Sequence, residues 1–532
     1  MLHTAVLVSF LFVGGLSATG LLGPILSFIC NVWQNSHPTF ASTIDVYGRI
    51  LLRYGHRVPH SAGQKPIPTA RFTWPNGQGT EKFFDGRNAA LRWRDQFGPI
   101  YRIWSGFKPE IVLSKPSHVQ QFYRDSHLHI KAKDNNSGWL FGELLGQCVG
   151  LVSQDRWRTL RQEVDPPFAP PAAAAHTRML VRQAREYIGS LPLIVAASSA
   201  EGGGQTAALL CPADDLKLCP FYMVAEIFFG RLSPQRRAAL AALAPLREDL
   251  FKHAFRGGVN RYALGKHLPG SEARARLDEF QDRWHAFVRE AYEAVQTAEV
   301  AAGGKAPPIV ELWEAVERGR IPMVEFMQTL DESLYANLDV TTHAVAWNVI
   351  LIAQHPEVQN EVRAEILQAA TGDDRDSSSY ERYINSNDTL LAACVVEAAR
   401  VRPILPFSNP EAATDDKVID GYLIPGGTDV IVDTHAINVA NPFWEDGEKY
   451  MPRRHMSLSK QQIRYNMWRY GFGPRQCLGK NVADRLLRAI IAETLTRMEL
   501  RLPQATGKQE FPLQDESWVG LPSTKVVCKL LT

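Results

Sequence analysis

The chain opens on an unbroken apolar stretch. Residues 1–44 contain no Asp, Glu, Lys or Arg, and residues 5–33 are mainly Leu, Val, Ile, Phe, Ala and Gly. Roughly 20 apolar residues suffice to cross the hydrocarbon layer of a bilayer, so residues 1–35 are expected to form an N-terminal membrane anchor. A cleaved signal peptide starts with a basic segment and has a shorter apolar core, and neither is present here. Arg49, Arg53, Arg57 and Arg71 follow the apolar run. By the positive-inside rule they leave residues 36–532 on the cytosolic side as the body of the protein.

Past the anchor the periodicity changes several times. Residues 97–106 and 110–114 are rich in β-branched and aromatic side chains around a glycine, which predicts a β-hairpin. Helical spacing of apolar positions then dominates, over 171–189, 220–229, 234–255, 271–298, 324–354 and 482–499. Residues 197–215, 301–308 and 371–379 are Gly-, Ser- or Asp-rich and read as surface loops. From 404 to 433 the pattern is one of short strands, punctuated by Asp420-Gly421 and Pro425-Gly426-Gly427. The expectation is a mainly α protein with a small β subdomain at each end and no internal linker.

Composition narrows the function. Among 532 residues, 45% are hydrophobic and 21% charged, the balance of a protein with a real core. A formal net charge of +2 argues against a nucleic-acid-binding surface. Seven cysteines are scattered without CxxC pairs, which suits neither a disulfide framework nor a zinc site. A cysteine that carries chemistry must therefore be recognised from its surroundings.

One is. The run Tyr470-Gly-Phe-Gly473-Pro-Arg475-Gln-Cys477-Leu-Gly479 stands just before a predicted helix. Glycines let a backbone turn closely against a flat ligand. A sulfur at a helix N-terminus has free N–H groups to stabilise its thiolate. Arg475 supplies a planar donor suited to a carboxylate.

This loop resembles the cysteine loop of the cytochrome P-450 superfamily, Phe-x-x-Gly-x-Arg-x-Cys-x-Gly, with Tyr470 in the first place. Three further runs agree in order and spacing. Glu397-Ala-Ala-Arg400 is similar to the family's Glu-x-x-Arg. Tyr450-Met-Pro452-Arg453-Arg454-His455 resembles Phe-x-Pro-Glu-Arg-Phe, departing from it at Arg453 and His455. Trp157-Arg-Thr-Leu-Arg161 matches Trp-x-x-x-Arg. The resemblance implies a haem-thiolate monooxygenase of cytochrome P-450 fold, its haem b iron bound by Cys477. It implies further that Arg475, Trp157 and Arg161 meet the propionates, and that Tyr470, Gly473 and Gly479 shape the cofactor loop. Glu397, Arg400 and Arg454 would form a buried structural network. The implied partners are an NADPH-cytochrome P-450 reductase, a small organic substrate and the endoplasmic reticulum membrane, crossed once. The style of the sequence is similar to microsomal fungal secondary-metabolism members, including those of diketopiperazine pathways.

The central helix departs from the family. Where Ala-Gly-x-Asp/Glu-Thr-Thr is usual, this chain has Ala336-Asn-Leu-Asp339-Val340-Thr341-Thr342. Val340 has no hydroxyl at the place of the family's principal threonine. Asn337 and Thr341 stand at i and i+4, so Asp339 is expected to relay protons, with Thr341 or Asn337 presenting the last hydrogen bond. Thr341 and Thr342 bonding only to helix carbonyls is the alternative. The same departure leaves open a non-oxygenating oxidation, ring coupling or isomerisation on the same fold, or a non-catalytic haem protein.

Overall fold

The computed structural model describes residues 66–192, 194–196, 207–268, 270–302, 306–370, 375–503 and 511–531. The anchor expected over residues 1–35 lies outside the described residues. Among these, no helix is long and apolar enough to cross a membrane.

The expected hairpin forms. Strand Ile100–Ser105 runs antiparallel to Lys108–Leu113, and the turn uses Gly106 at a φ of 58°. It is not a subdomain of its own, however. Lys108–Leu113 pairs in parallel with Asp429–Val432, and the sheet continues through Glu411–Ala412 to Ile130–Lys131. The two expected β subdomains are thus largely one five-stranded sheet. Ile111, Leu113, Val430 and Val432 have no exposed surface, and strands this apolar require cover on both faces.

A second sheet orders Met498–Arg501, Val526–Leu530, Ala207–Leu210 and Ile194–Ala196. Part of the expected surface loop at 197–215 is therefore structured, since Ala207–Leu210 pairs with Val526–Lys529. The alternation of buried Ala208 and Leu210 carries that strand.

Helices fill the rest. The expected 171–189 helix divides into Pro170–Ala175 and Thr177–Gly189. Pro234–Arg256 runs through Pro245, and Glu272–Ala302 packs beside it. The last long helix is Lys480–Arg497. The central helix, expected as one piece, is Met323–Ala336 and Thr342–Gln354 joined by a π-helical turn, Asn337–Thr341. Its second half is buried almost all round, with Val345, Ile350 and Ile352 fully covered, which places it inside the main core.

Candidate active site

The cysteine loop precedes the helix Lys480–Arg497. The Cys477 N–H donates to Tyr470 O at 2.9 Å, closing the loop. Gly471 and Gly473 take φ values of 80° and 68°, and a Cβ at Gly473 would collide with Ser126 Oγ. Gly479 differs from the expected pattern: its φ is −78°, because it caps the helix. A Cβ there would meet no protein atom within 4 Å, so the ground beside the sulfur is open. Among the described cysteines, Cys477 alone is exposed. Desolvation by the surrounding protein nonetheless pushes its thiol pKa up, opposed by the Gly479 N–H, Arg161 and Lys480. The charge of a bound metal overturns such a balance and takes the thiol to thiolate.

Two guanidinium groups and an indole gather at this loop. Trp157 and Arg161 lie on the helix Gln154–Val164. The Arg475 guanidinium sits 4.7 Å from the Trp157 ring centroid. It donates through Nη1 to Val152 O at 2.7 Å and through Nη2 to Gly150 O at 3.3 Å. Arg161 donates to Asp165 Oδ1 at 3.0 Å and to Gln476 O at 3.2 Å. Each guanidinium has five N–H donors, so both keep capacity for a carboxylate. An exposed sulfur at a helix N-terminus, open ground beside it and a cationic rim fit a flat iron macrocycle carrying carboxylates. Tyr470 has a different place from that expected of a cofactor contact. Its hydroxyl donates to Asp484 Oδ1 at 2.8 Å, an atom also held by Arg469 at 2.6 Å. Tyr470 therefore staples the loop to the helix and reaches Cys477 through its carbonyl.

Glu397 and Arg400 lie on one face of Leu390–Val401 and have no exposed surface. Arg400 grips the Glu397 carboxylate through Nε at 2.7 Å and Nη2 at 2.8 Å, and donates onward to Asn438 O, Gly447 O and Lys449 O. Arg454 Nε adds a bond to Glu397 Oε1 at 3.1 Å, and the Met451 N–H another at 2.9 Å. His455 Nε2 lies 2.8 Å from Glu397 Oε2. Desolvation would raise the Glu397 pKa, but these partners hold it down to about 2. His455, a departure from the family pattern in the sequence, is thus a fourth member, while Arg453 pairs outward with Glu361.

The central helix borders a cavity of about 160 Å³. Ala336 and Val340 line it, together with Glu332, Phe251 and Trp518, whereas Asn337 and Thr341 do not. Thr341 Oγ1 donates to Asn337 Oδ1 at 2.7 Å, and Asn337 Nδ2 donates to Ser333 O and Leu334 O at 2.7 and 3.0 Å. Thr342 Oγ1 donates to Asn337 O at 3.0 Å. These bonds hold the π turn, so the two side chains expected to hand over a proton are occupied within the helix. Asp339 Oδ2 accepts from Trp518 Nε1 at 3.0 Å. Burial raises the Asp339 pKa to about 6, against Trp518, Lys217 and Arg247. Trp518, from the C-terminal segment, had no signal in the sequence.

The cytochrome P450 family model matches residues 82–529. The chain is 51% identical over 493 residues to the cytochrome P450 monooxygenase gliC of Aspergillus fumigatus, covering 93% of this chain and 94% of that protein. With verC of Clonostachys rogersoniana, also a cytochrome P450 monooxygenase, it shares 53% identity over 87% of this chain and 88% of the relative. A zebra fish cytochrome P450 solved with progesterone superposes with a TM-score of 0.66 at 18% identity, covering 84% of this chain and 99% of that one.

Proposed function

The chain belongs to the cytochrome P450 family and is a monooxygenase using cysteine-ligated haem b; from that premise we propose that Cys477 is the iron ligand and that the substrate is a fungal secondary-metabolite intermediate of the diketopiperazine class. The exposed Cys477 sulfur at the mouth of the helix Lys480–Arg497, with Arg475, Trp157 and Arg161 gathered at its loop, is the observation that supports the ligand assignment most directly. Haem bound through a thiolate supplies activation of dioxygen for insertion of one oxygen atom.

The chain's own residues orient the reactants and manage protons. Arg475, Arg161 and Trp157 hold the propionates. Glu397, Arg400, Arg454 and His455 fix the segment that leads into the cysteine loop. Asp339 holds a proton on its carboxyl group, and its raised pKa suits exchange near neutral pH. Lys217, paired with Glu248 and half-buried, acts on the Asp339 carboxyl through its charge and lowers its pKa. Asn337 and Thr341 are positioning residues: they hold the turn that carries Asp339 and leave Val340 facing the cavity. An NADPH-cytochrome P-450 reductase supplies electrons, and residues 1–35 tether the enzyme to the endoplasmic reticulum membrane.

The carbon monoxide difference spectrum of the reduced protein tests the ligand. A thiolate-type band that Cys477→His abolishes is expected, and a histidine-type band in the unmodified protein overturns it. Val340 in place of a hydroxyl residue favours one second reading, substrate coupling or rearrangement without oxygen insertion. Turnover under ¹⁸O₂ separates the two, with one labelled atom in the product expected here.

A further inference from the structure

A guanidinium with two idle nitrogens borders the cavity. Arg247, on the helix Pro234–Arg256, is 1% exposed. Its Nε donates to Asp331 Oδ1 on the central helix at 2.7 Å, and its Cζ lies 3.9 Å from the Phe251 ring centroid. Nη1 and Nη2 are buried without a hydrogen-bond partner, and Arg247 is among the residues lining the cavity. Arginine is seldom buried unless its donors are engaged, and an unmet buried donor is costly. Asp331 accounts for the charge being tolerated but leaves both terminal nitrogens unused.

We infer that Arg247 is a substrate-anchoring residue, whose Nη1 and Nη2 donate to the carbonyl oxygen of a neutral, amide-bearing aromatic substrate. Charge selects a neutral ligand. Asp331 already balances Arg247, and Glu332, its neighbour in the chain, brings a second carboxylate to the same cavity, with Oε2 accepting from the Gly150 N–H at 3.1 Å. An anionic substrate would add a third negative charge, and a cationic one would face Arg247. An amide instead offers its oxygen to the guanidinium and its N–H to Glu332. Phe141, Phe255 and Trp518 supply aromatic walls for an attached ring. The inference rests on the reading of this cavity as the substrate chamber.

The test compares N-benzylbenzamide with 1,3-diphenylpropane, a hydrocarbon of similar shape, by spectral titration of the ferric holoenzyme. Wild type is expected to bind the amide more tightly. Arg247→Lys keeps the pair with Asp331 but loses the forked donors, and is expected to weaken the amide about tenfold while changing the hydrocarbon less than twofold. Arg247→Gln combined with Asp331→Asn removes both charges together and is expected to act in the same way. Equal losses for both ligands, undiminished amide binding in either variant, or a wild type that ignores the amide overturns the inference. The carbon monoxide spectrum reports separately on the haem reading. Should that fail, equilibrium dialysis of the amide against the same proteins still judges Arg247.

Discussion

The two sides of the site are built on opposite principles. Around Glu397 every carboxylate lone pair has a donor, and Arg400 bonds to three main-chain carbonyls as well as to the acid. Around the cavity polar groups are left waiting. Arg247 has two idle nitrogens, and Asp331 and Asp339 are both raised to about 6 by burial. One acid is held far below its ordinary pKa by many partners, and two are raised above theirs by burial that the single side-chain donor on each, Arg247 on Asp331 and Trp518 on Asp339, does not offset. A carboxylate met on both oxygens by several donors rigidifies the elements it joins, whereas a buried guanidinium with both terminal nitrogens unmet keeps capacity for a ligand.

The comparison breaks most visibly at Glu397. Glu397→Gln leaves the Arg400 charge buried and unmatched, and a loss of about 3–5 kcal/mol in stability is expected in urea unfolding, with haem retention falling alongside. Its pH dependence comes from the depressed pKa. The stability contributed by Glu397 is complete above the ordinary carboxylate pKa and is lost as pH falls through about 2. The acid limb of the unfolding curve is therefore expected to be shallower in the variant.

On the cavity side the same type of change is expected to spare folding and strike turnover. Asp339→Asn should lower turnover about a hundredfold, with an unfolding midpoint at least as high as wild type near pH 7, since a buried charge has gone. Trp518→Phe removes a donor from the carboxylate, so the pKa of Asp339 rises further. The pH profile of turnover is expected to shift upward, with a few-fold change at its maximum. Thr341→Val should act least, at about 1 kcal/mol of stability for the lost bond to Asn337. Equal turnover losses in Thr341→Val and Asp339→Asn would return Thr341 to the proton path.

The features legible in the sequence are those whose parts lie close along it. The loop from Tyr470 to Gly479 and the pair Glu397–Arg400 each fit within one turn or a few, so residue type and spacing carry their geometry. The Arg247–Asp331 and Asp339–Trp518 contacts join residues 84 and 179 positions apart, and no local pattern announces them. The expectation for Thr341 assumes a regular helix. The π turn rotates the residues after it, and the polar side chains at 337, 341 and 342 turn inward to hold it. His455 is legible only as an oddity beside Arg454, because a motif cannot say that a replacement has found the same carboxylate.

The parallel pairing of Lys108–Leu113 with Asp429–Val432 bears on how the protein is made. A ribosome delivers the hairpin early and its partner strand only after more than half of the chain has emerged. Until then the hairpin has an apolar edge with nothing to pair, and closing so long a loop is slow. Assembly of the sheet thus waits until late in synthesis. A chain stopped short of Asp429 is expected to need a chaperone on that edge, and to be cleared by the cell's proteases.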